Sequence, residues 1–312
     1  MRMNLSLRGK IILIGGSQLV VLSVVLFAGY WHHATAAARQ ECVAKARSVA
    51  LTAEAVREEM RRKWDLGLFS KEQMVAWARD GHLDRVLAAV PVVTGWKAGM
   101  AKAAEGGYTF RVPKNHARNP KNNPDAVEAE ALARLEKGDL PEYHVVDASL
   151  NAVRYFRPIR LTEDCMLCHG DPATSAELWG NDKGLDPTGA RMEGWKPGEV
   201  HGAFEIIQSL DEADARVRAS LLEGGVVVVI LLAAGGALLA WMATRAIVRP
   251  FRRMVAFSQA IADGDVSGTC DLQSRDETGQ LAAALNGMCA SLRTMLRDIR
   301  QRAETLGRSS EQ

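Results

Sequence analysis

Two long uncharged apolar blocks constrain this chain more than any other feature. The first extends from Ile11 to Trp31 and the second from Gly224 to Thr244. About 20 apolar residues are enough to cross a bilayer as a helix, so each block is predicted to be a transmembrane helix. The alternative for the first block is a cleaved signal peptide, but its apolar run is longer than a typical signal sequence requires. The alternative for the second is a buried core helix, which its length and purity disfavour.

Basic residues beside both blocks predict their orientation. Arg2, Arg8 and Lys10 precede the first block, and Arg245 with three further arginines follows the second. Because basic flanks stay in the cytoplasm, the chain is expected to be a multi-pass protein of a bacterial inner membrane, in contact with lipid. The formal net charge of +2 gives no argument for nucleic acid as a partner. The predicted segments are a cytoplasmic N-terminus (1–10), a first span (11–31), a periplasmic domain (32–223), a second span (224–247), a linker (248–302) and a tail (303–312).

The periplasmic segment predicts a domain of mixed secondary structure. Ala34 to Met60 is rich in alanine and lacks Pro and Gly, so the first membrane helix is expected to continue outward. Ser70 with Gln73 forms a capping-box pattern for a helix ending near Val90, and Pro91 is expected to break it. Asn123 and Pro124 are the expected cap and first residue of a helix ending near Gly138. Runs of β-branched and aromatic residues predict strands at Tyr108–Val112, Tyr143–Val146, Val153–Leu161 and Val200–Ile207. The predicted fold class is α+β: two transmembrane helices flanking a PAS-like mixed α/β domain with an antiparallel sheet.

A C-x-x-C-H motif carries the chemistry of this segment. Its functional residues are Cys165, Cys168 and His169, which follow the third predicted strand. Two cysteines at this spacing can both add to the vinyl groups of one haem, and the adjacent histidine supplies an axial nitrogen to the iron. One covalent haem c is therefore predicted, with His169 as a metal ligand.

A C-x-x-C pair also occurs in zinc sites and in thioredoxin-like dithiols. A zinc site needs further ligands, and no second C-x-x-C or suitable Cys/His pair lies outside the predicted spans. A thioredoxin-like dithiol is expected within a βαβ unit, which the predicted order of elements lacks. The haem interpretation is therefore favoured over both.

The second axial ligand of such a haem has several candidates. Cys42 is the remaining cysteine of the predicted periplasmic segment, and a thiolate on the helix after the first span could close the distal face of the haem. Several methionines compete with it, as do His116, His144, His201 and the pair His32 and His33.

Three arginines precede the motif on the third predicted strand. Arg154 and Arg157, together with Arg160, could pair with haem propionates, because a guanidinium matches a planar carboxylate. Arginines on a half-exposed strand are more often simply solvated, so this assignment competes with a purely structural one.

The residues around the motif resemble a known family. Arg154–Pro172, Trp179–Asp186 and Gly202–Phe204 are similar to the single-haem, PAS-like c-type sensory domain of bacterial chemoreceptors and other sensor proteins. Phe110–Pro113 and Arg118–Asp125 also fit, and the resemblance covers roughly 38–210. It implies that a cysteine on the N-terminal helix can ligate the haem, which favours Cys42.

The segment after the second block resembles a HAMP linker. Pro250 is expected to start a helix that ends at Gly264, and Asp276–Gly279 is expected to open a second helix. HAMP linkers are parallel four-helix bundles made by two chains, so the resemblance implies a homodimer. Cys270 and Cys289 are expected to be reduced cytoplasmic thiols. Apolar residues of the second helix form a heptad seam, comprising Leu281, Leu285, Met288, Leu292, Met295 and Ile299.

These expectations together describe a transmembrane haem sensor of a diatomic gas or of redox state. The short segment after the heptad seam has no chemoreceptor hairpin, kinase lobe or cyclase motif. We therefore expect either a truncated receptor or a signal passed to a separate cytoplasmic protein. The alternative function is a membrane-anchored monohaem cytochrome for periplasmic electron transfer, although a carrier has no need of a HAMP linker. A haem-free receptor for a small solute would require the C-x-x-C-H match to be accidental. No catalytic constellation is present, so an enzyme is not expected.

Overall fold

The predicted helices and strands occur along the chain in the order that the sequence predicts. In this computed structural model the described residues are 6–138 and 140–309, so Arg2, part of the predicted N-terminal segment and the end of the predicted tail lie outside them. The strands are β1 (Tyr108–Arg111), β2 (Tyr143–Asp147), β3 (Ala152–Arg160) and β4 (Val200–Ser209). The helices are α1 (Leu7–Asp65), α2 (Lys71–Arg79), α3 (Leu83–Ala89), α4 (Pro91–Ala101), α5 (Ala103–Gly106), α6 (Ala126–Gly138), α7 (Met166–His169), α8 (Ser175–Trp179), α9 (Asp211–Ala243), α10 (Arg249–Ala262) and α11 (Glu277–Ser309).

Both uncharged blocks lie within helices that are long and apolar enough to cross a membrane. The first block is part of α1, and the second belongs to a helical run from Asp211 to Ala262. Helix α1 continues past the predicted end at Met60 to Asp65. The mixed helix and sheet class with two candidate membrane helices is therefore confirmed.

A π-helical turn interrupts the second helical run. It occupies Thr244–Val248, directly before Pro250 at the start of α10. Proline has no N–H to donate and its ring crowds the carbonyl four residues earlier, so the regular helical hydrogen bonds cannot continue through it. The wider turn absorbs this break without ending the helix.

The sheet is antiparallel, with strand order β1-β4-β3-β2. Strands β3 and β4 form its centre, with Tyr155 opposite Ile206 and Phe156 opposite Glu205. The register shifts at Ile159 and Arg160, five residues before Cys165 of the C-x-x-C-H motif. A bulge at this position redirects the chain out of the sheet.

Alternate residues of β3 pack into two separate cores. Tyr155 packs against the alanine face of α1, which includes Ala46, Ala50 and Ala53. Phe156 points to the other face, where it packs against Leu132 of α6. This division follows from the period of two along a strand, and the alanines allow α1 to approach the sheet closely.

Four local predictions about helix caps and helix ends have different outcomes. The capping box of Ser70 and Gln73 is present, because each side chain accepts a backbone N–H from the other residue. The predicted helix to Val90 is instead divided into α2 and α3 at Gly81, whose φ of +78° is incompatible with a continuous helix. Pro91 begins α4 as well as ending the preceding helix. The cap of α6 is Asp125 rather than Asn123, since Asp125 and Glu128 exchange side-chain to backbone hydrogen bonds.

The region after the second block forms two helices joined by a connector. Gly264 has a φ of +90° and follows the end of α10, as its sequence position predicts. Asp276 caps α11 by accepting the backbone N–H groups of Thr278 and Gly279. Met254, Cys270 and Ala282 form a small buried core between the helices. Several seam residues are exposed in the single chain: Leu281, Met288, Met295 and Ile299.

Candidate functional site

The C-x-x-C-H residues lie on a 3-10 turn and the short helix α7, which follow the end of β3 at Arg160. A 3-10 turn over Glu163–Cys165 leads into α7, and Thr162 contacts the Cys165 sulfur through its N–H at 3.5 Å and its hydroxyl at 3.4 Å. Residues three and four apart share a face of a helix, so Cys165, Cys168 and His169 are directed to the same side. All three line one cavity.

A carboxylate fixes the His169 ring. The Nδ1 atom of His169 lies 2.8 Å from Oε2 of Glu193. Burial alone would raise the pKa of Glu193, but hydrogen bonds from His169 and Arg118 lower that pKa to about 2. An ionised carboxylate only accepts hydrogen bonds, so Nδ1 is the donor in this contact and Nε2 is the ring nitrogen left for another partner.

Arg118 holds this carboxylate and the motif together. Its Nε and Nη2 atoms donate to Oε1 and Oε2 of Glu193 at 2.6 and 2.9 Å. Its Nη1 donates to Asp186 at 2.7 Å, and Nη2 also reaches the carbonyl of Cys168 at 2.8 Å. One guanidinium therefore connects the α7 backbone to the loop that carries Glu193.

The cavity beside these residues has a volume of about 370 Å³. Pockets for cofactors and ligands usually enclose about 300–1,000 Å³ and have mostly apolar walls. This cavity has such a wall opposite the polar motif, contributed by α1 to α4 and the sheet. The apolar and aromatic side chains of the wall include Trp64, Met74, Val86, Leu87, Val90, Pro91, Val92, Val93, Trp96, Val112, Ile159 and Leu161.

His201 and Lys114 are among the other polar residues that line the cavity. The ring of His201, on β4, lies 4.6 Å from the ring of His169, and neither of its buried nitrogens has a partner among the described residues. Burial and the neighbouring His169 lower the pKa of His201 to about 3, so its imidazole is neutral. Lys114 is stacked 5.5 Å from the centre of the Trp96 ring, and burial lowers its pKa.

The site fits a c-type haem in its chemistry. Two thiols and one imidazole line the cavity together with many apolar side chains and the amine of Lys114, and the imidazole of His201 has unused hydrogen-bonding capacity. Burial and the charge of Asp186 raise the pKa of the Cys168 thiol to about 12, so Cys168 is a neutral thiol. Within 6–138 and 140–309, no group of three or more His, Cys, Asp or Glu residues is arranged to hold a metal ion by itself.

The position of Cys42 corrects the expectation that it ligates the iron. Cys42 is buried against Val153, Leu210 and Ala213, at the start of β3, whereas the motif follows the end of β3. Trp64, on the same helix as Cys42, lines the cavity, and at 1.5 Å per helical residue the two are about 33 Å apart. Burial raises the pKa of the Cys42 thiol, which is the behaviour of a structural cysteine.

Arg154 also lies away from the cavity. It is almost fully buried and forms ion pairs with four carboxylates, which together with Arg154 we call the carboxylate cluster. The distances from Arg154 are 2.6 Å to Glu205, 2.9 Å to Asp125, 3.2 Å to Asp147 and 3.5 Å to Glu128. The proposed contact with haem propionates is therefore wrong for Arg154, because its donors are already engaged.

Arg157 is engaged elsewhere as well. Its guanidinium pairs with Glu54 of α1 at 2.8 Å and lies 3.8 Å from Glu142. Neither Arg157 nor Arg160 is among the cavity-lining residues. Of the competing histidines, His32, His33, His116 and His144 are exposed, which leaves His201 as the one beside His169.

Sequence reasoning missed Glu193 and Lys114 and gave no role to Arg118. Arg118 belongs to one of the segments quoted for the family resemblance, which was a usable signal. Glu193 lies in a long loop without periodicity, and Lys114 is one of many lysines, so neither had a local signal.

Comparisons with known proteins cover most of the chain. The profile of the Tll0287-like family matches residues 34–209, and that of the HAMP domain matches 242–294. Curated relatives are methyl-accepting chemotaxis proteins. McpA of Bacillus subtilis is 27% identical over 128 residues, 39% of this chain and 17% of that protein. TlpB of the same organism is 30% identical over 117 residues, 38% of this chain and 16% of that protein. The citrate transducer of Salmonella typhimurium is 39% identical over 62 residues, 20% of this chain and 11% of that protein.

This chain spans about a sixth of the length of the first of these relatives. A solved structure, described as the cyanobacterial heme-protein Tll0287, shares 25% identity and a TM-score of 0.28, over 36% of this chain and 67% of that one.

Proposed function

The chain belongs to the Tll0287-like family, and from this premise we propose that it is a membrane-anchored sensor whose periplasmic domain carries one covalent c-type haem. The observation that carries the proposal is the convergence of Cys165, Cys168 and His169 on one end of a largely apolar cavity. A chance C-x-x-C-H match would have no reason to lie beside a cavity of cofactor size.

The motif residues would hold the haem in three ways. The thiols of Cys165 and Cys168 would form the thioether links, and Nε2 of His169 would ligate the iron. When bound, the haem would supply a redox-active iron that can also take a diatomic gas. This chain's own residues would select what reaches it, because the wall formed by residues such as Val93 and Trp96 is apolar.

Lys114 is the better candidate for a propionate partner. It lines the cavity and forms no ion pair with a carboxylate among the described residues, in contrast to Arg154 and Arg157. An ammonium buried beside an aromatic ring gains most from a carboxylate that enters the same cavity. We therefore assign Lys114, rather than the arginines of β3, to this role.

The route of the signal follows the order of the chain. His201 lies on β4, and β4 passes through Leu210 into α9, which contains the second apolar block. The HAMP domain follows that block. A gas or a change of redox state that favours one conformation of the cavity would bias the HAMP helices by its differential binding free energy.

The partners follow from the two ends of the chain. The exposed apolar residues of α11, including Met288 and Met295, favour pairing with a second copy of the chain. The basic flanks favour a cytoplasmic HAMP domain and a periplasmic haem domain in an inner membrane. A separate cytoplasmic signalling protein would receive the output. We propose no catalytic reaction.

Covalent haem is tested on the full chain made in cells with c-type maturation machinery. A denaturing gel stained for haem peroxidase activity should show a band at the mass of the chain. The band should be lost in Cys165→Ala/Cys168→Ala and retained in Cys42→Ala, because Cys42 lies far from the cavity. Protein without a stained band in the parent chain would contradict the proposal, and a haem spectrum altered by Cys42→Ala would restore Cys42 as a ligand.

Signalling is tested against the alternative of electron transfer. Cysteines introduced at Leu285 or Leu292, after replacement of Cys270 and Cys289, would crosslink two chains in membranes. The crosslinking rate should differ between oxidised and reduced haem, and the difference should vanish in His169→Ala. Equal rates in every redox and gas condition would favour a membrane-anchored monohaem cytochrome instead.

A further inference from the structure

The contacts of Glu193 lead to an inference that rests on the proposed haem. The family resemblance assigns the C-x-x-C-H residues but gives no role to a carboxylate behind them. The structure places Oε2 of Glu193 2.8 Å from Nδ1 of His169, the ring nitrogen that would face away from the iron. A metal-bound imidazole usually has its other nitrogen hydrogen-bonded, and a charged acceptor strengthens the imidazole as a donor.

Arg118 makes the position of this carboxylate rigid. It donates to both oxygens of Glu193, at 2.6 and 2.9 Å, so the carboxylate plane cannot rotate without breaking a bidentate contact. The same guanidinium reaches the carbonyl of Cys168 at 2.8 Å. The acceptor for Nδ1 is therefore tied to the helix that carries His169 itself.

Backbone contacts hold the Glu193 loop against the same helix. The N–H of Trp195 donates to the carbonyl of His169 at 2.8 Å, and that of Gly194 donates to Gly170 at 3.0 Å. These bonds flank Glu193 on its C-terminal side. Glu193 is thus placed by four contacts, two from Arg118 and two from its neighbours, before any cofactor is considered.

We propose that Glu193 is a positioning residue that sets the donor strength of His169 and so the reduction potential of the haem. A hydrogen bond to a carboxylate gives the imidazole more anionic character, which stabilises ferric over ferrous iron. Arg118 moderates this effect, because it shares the negative charge of Glu193. The pair thereby sets the range of ambient potentials or gas concentrations to which the sensor responds.

The test replaces the carboxylate with an amide of the same shape. Glu193→Gln in the haem-loaded full chain should raise the midpoint potential, increasing the ferrous-to-ferric ratio at fixed ambient potential at least tenfold, or 59 mV for one electron. The g values in the ferric electron paramagnetic resonance spectrum should shift with it, because they report the donor strength of the axial imidazole.

Glu199→Gln is the matched control. Glu199 lies on the same loop and accepts the backbone N–H of Lys196, so this variant removes one negative charge without touching His169. Its potential and g values should stay those of the parent. If both variants change the potential equally, a general charge effect replaces the proposal.

Glu193→Asp keeps the experiment decisive if the amide variant loads no haem. The shorter side chain retains the charge but withdraws the acceptor from Nδ1, so the g values should shift and the potential should rise by less than in Glu193→Gln. Unchanged g values and potential in whichever Glu193 variant carries haem would overturn the proposal. Absence of haem from the parent chain would instead contradict the proposed function.

Discussion

The carboxylate cluster around Arg154 and the cavity beside His169 are both buried polar regions of the same domain. They differ in the partners that their polar side chains have. Arg154 meets four carboxylates within 3.5 Å. In the cavity, the nitrogens of His201 have no partner among the described residues, and Lys114 rests on an aromatic ring. Oε2 of Glu205 in the cluster also has no hydrogen-bond partner among the described residues, but it lies 3.6 Å from Nε of Arg111 within packed protein. The unpartnered nitrogens of His201 instead border a cavity that a cofactor could fill. An unpartnered buried polar group therefore indicates a ligand site when it faces a cavity.

The strongest test of this comparison removes the centre of the cluster. Arg154→Met should lower the free energy of unfolding by about 3–5 kcal/mol, because several carboxylates would remain buried without their cation. Urea unfolding of the full chain in detergent measures the change. Arg134→Met is the control, since Arg134 forms an exposed pair with Glu130 four residues away that is worth about 0.3–0.5 kcal/mol. An equal loss in both variants would show that the cluster is not a stabilising unit.

The absorption spectrum of the Arg154→Met variant tests whether the carboxylate cluster is independent of the haem site. The fraction that folds should have the absorption spectrum of the parent, because Arg154 does not line the cavity. A changed spectrum would return Arg154 to the haem site.

A second test uses the pH dependence of the cluster. Burial beside Glu128 raises the pKa of Glu205 to about 8, from an ordinary value of 4.5. The folded chain therefore binds this proton more tightly than the unfolded chain, so the stability it contributes is present below about pH 4.5 and is lost as the pH rises through about 8. Glu205→Gln should lack this loss and become more stable than the parent by about 1–3 kcal/mol above that pH.

The measurement is the urea midpoint of parent and variant at a series of pH values from acidic to mildly alkaline. The difference between the two chains isolates Glu205 from other titrating groups, including His201. Glu130→Gln, on the exposed face of α6, should follow the parent at every pH. If the urea midpoints of the parent and of Glu205→Gln changed in parallel with pH, Glu205 would not hold a proton in this range.

The smallest expected effect on stability is that of replacing Lys114 in the cavity. Its sign is opposite to that of the effect of Arg154→Met. Lys114→Met should leave the haem-free chain unchanged or stabilise it by up to about 1 kcal/mol, because it removes an ammonium buried without a carboxylate. Thermal unfolding in the Cys165→Ala/Cys168→Ala background, with and without Lys114→Met, measures this. A clear loss of stability would show that Lys114 is satisfied in the absence of haem and would remove the distinction between the two regions.

The sequence predicted the features that depend on local pattern. The strand positions of β1 to β4, the capping box at Ser70 and the uncharged helices follow from periodicity, caps and length. The C-x-x-C-H motif was predictable for the same reason, because its five residues are contiguous. A helix predicted to continue to Val90 failed at Gly81, where a single glycine in the left-handed region divided it.

The partners of the arginines were not predictable, because they come from distant segments. Arg154 pairs with Asp125 before α6, Asp147 at the end of β2 and Glu205 on β4, and only the sheet order brings these together. Cys42 was misplaced for a related reason. The prediction that Cys42 lies on the long first helix was right. The direction in which that helix crosses the sheet determines which of its residues lie near the C-x-x-C-H motif, and this direction could not be derived from the sequence.

The π-helical turn at Thr244–Val248 has a geometric consequence for the helix that follows it. A π turn contains one residue more than an α turn, and one residue of an α-helix corresponds to about 100° of rotation and 1.5 Å of rise. If the turn relaxed to α geometry, the face of α10 that carries Met254 and Phe257 would turn by about that angle relative to α9. Rearranging the hydrogen bonds of the segment before Pro250 would thus rotate α10 relative to α9, with no change in chain length.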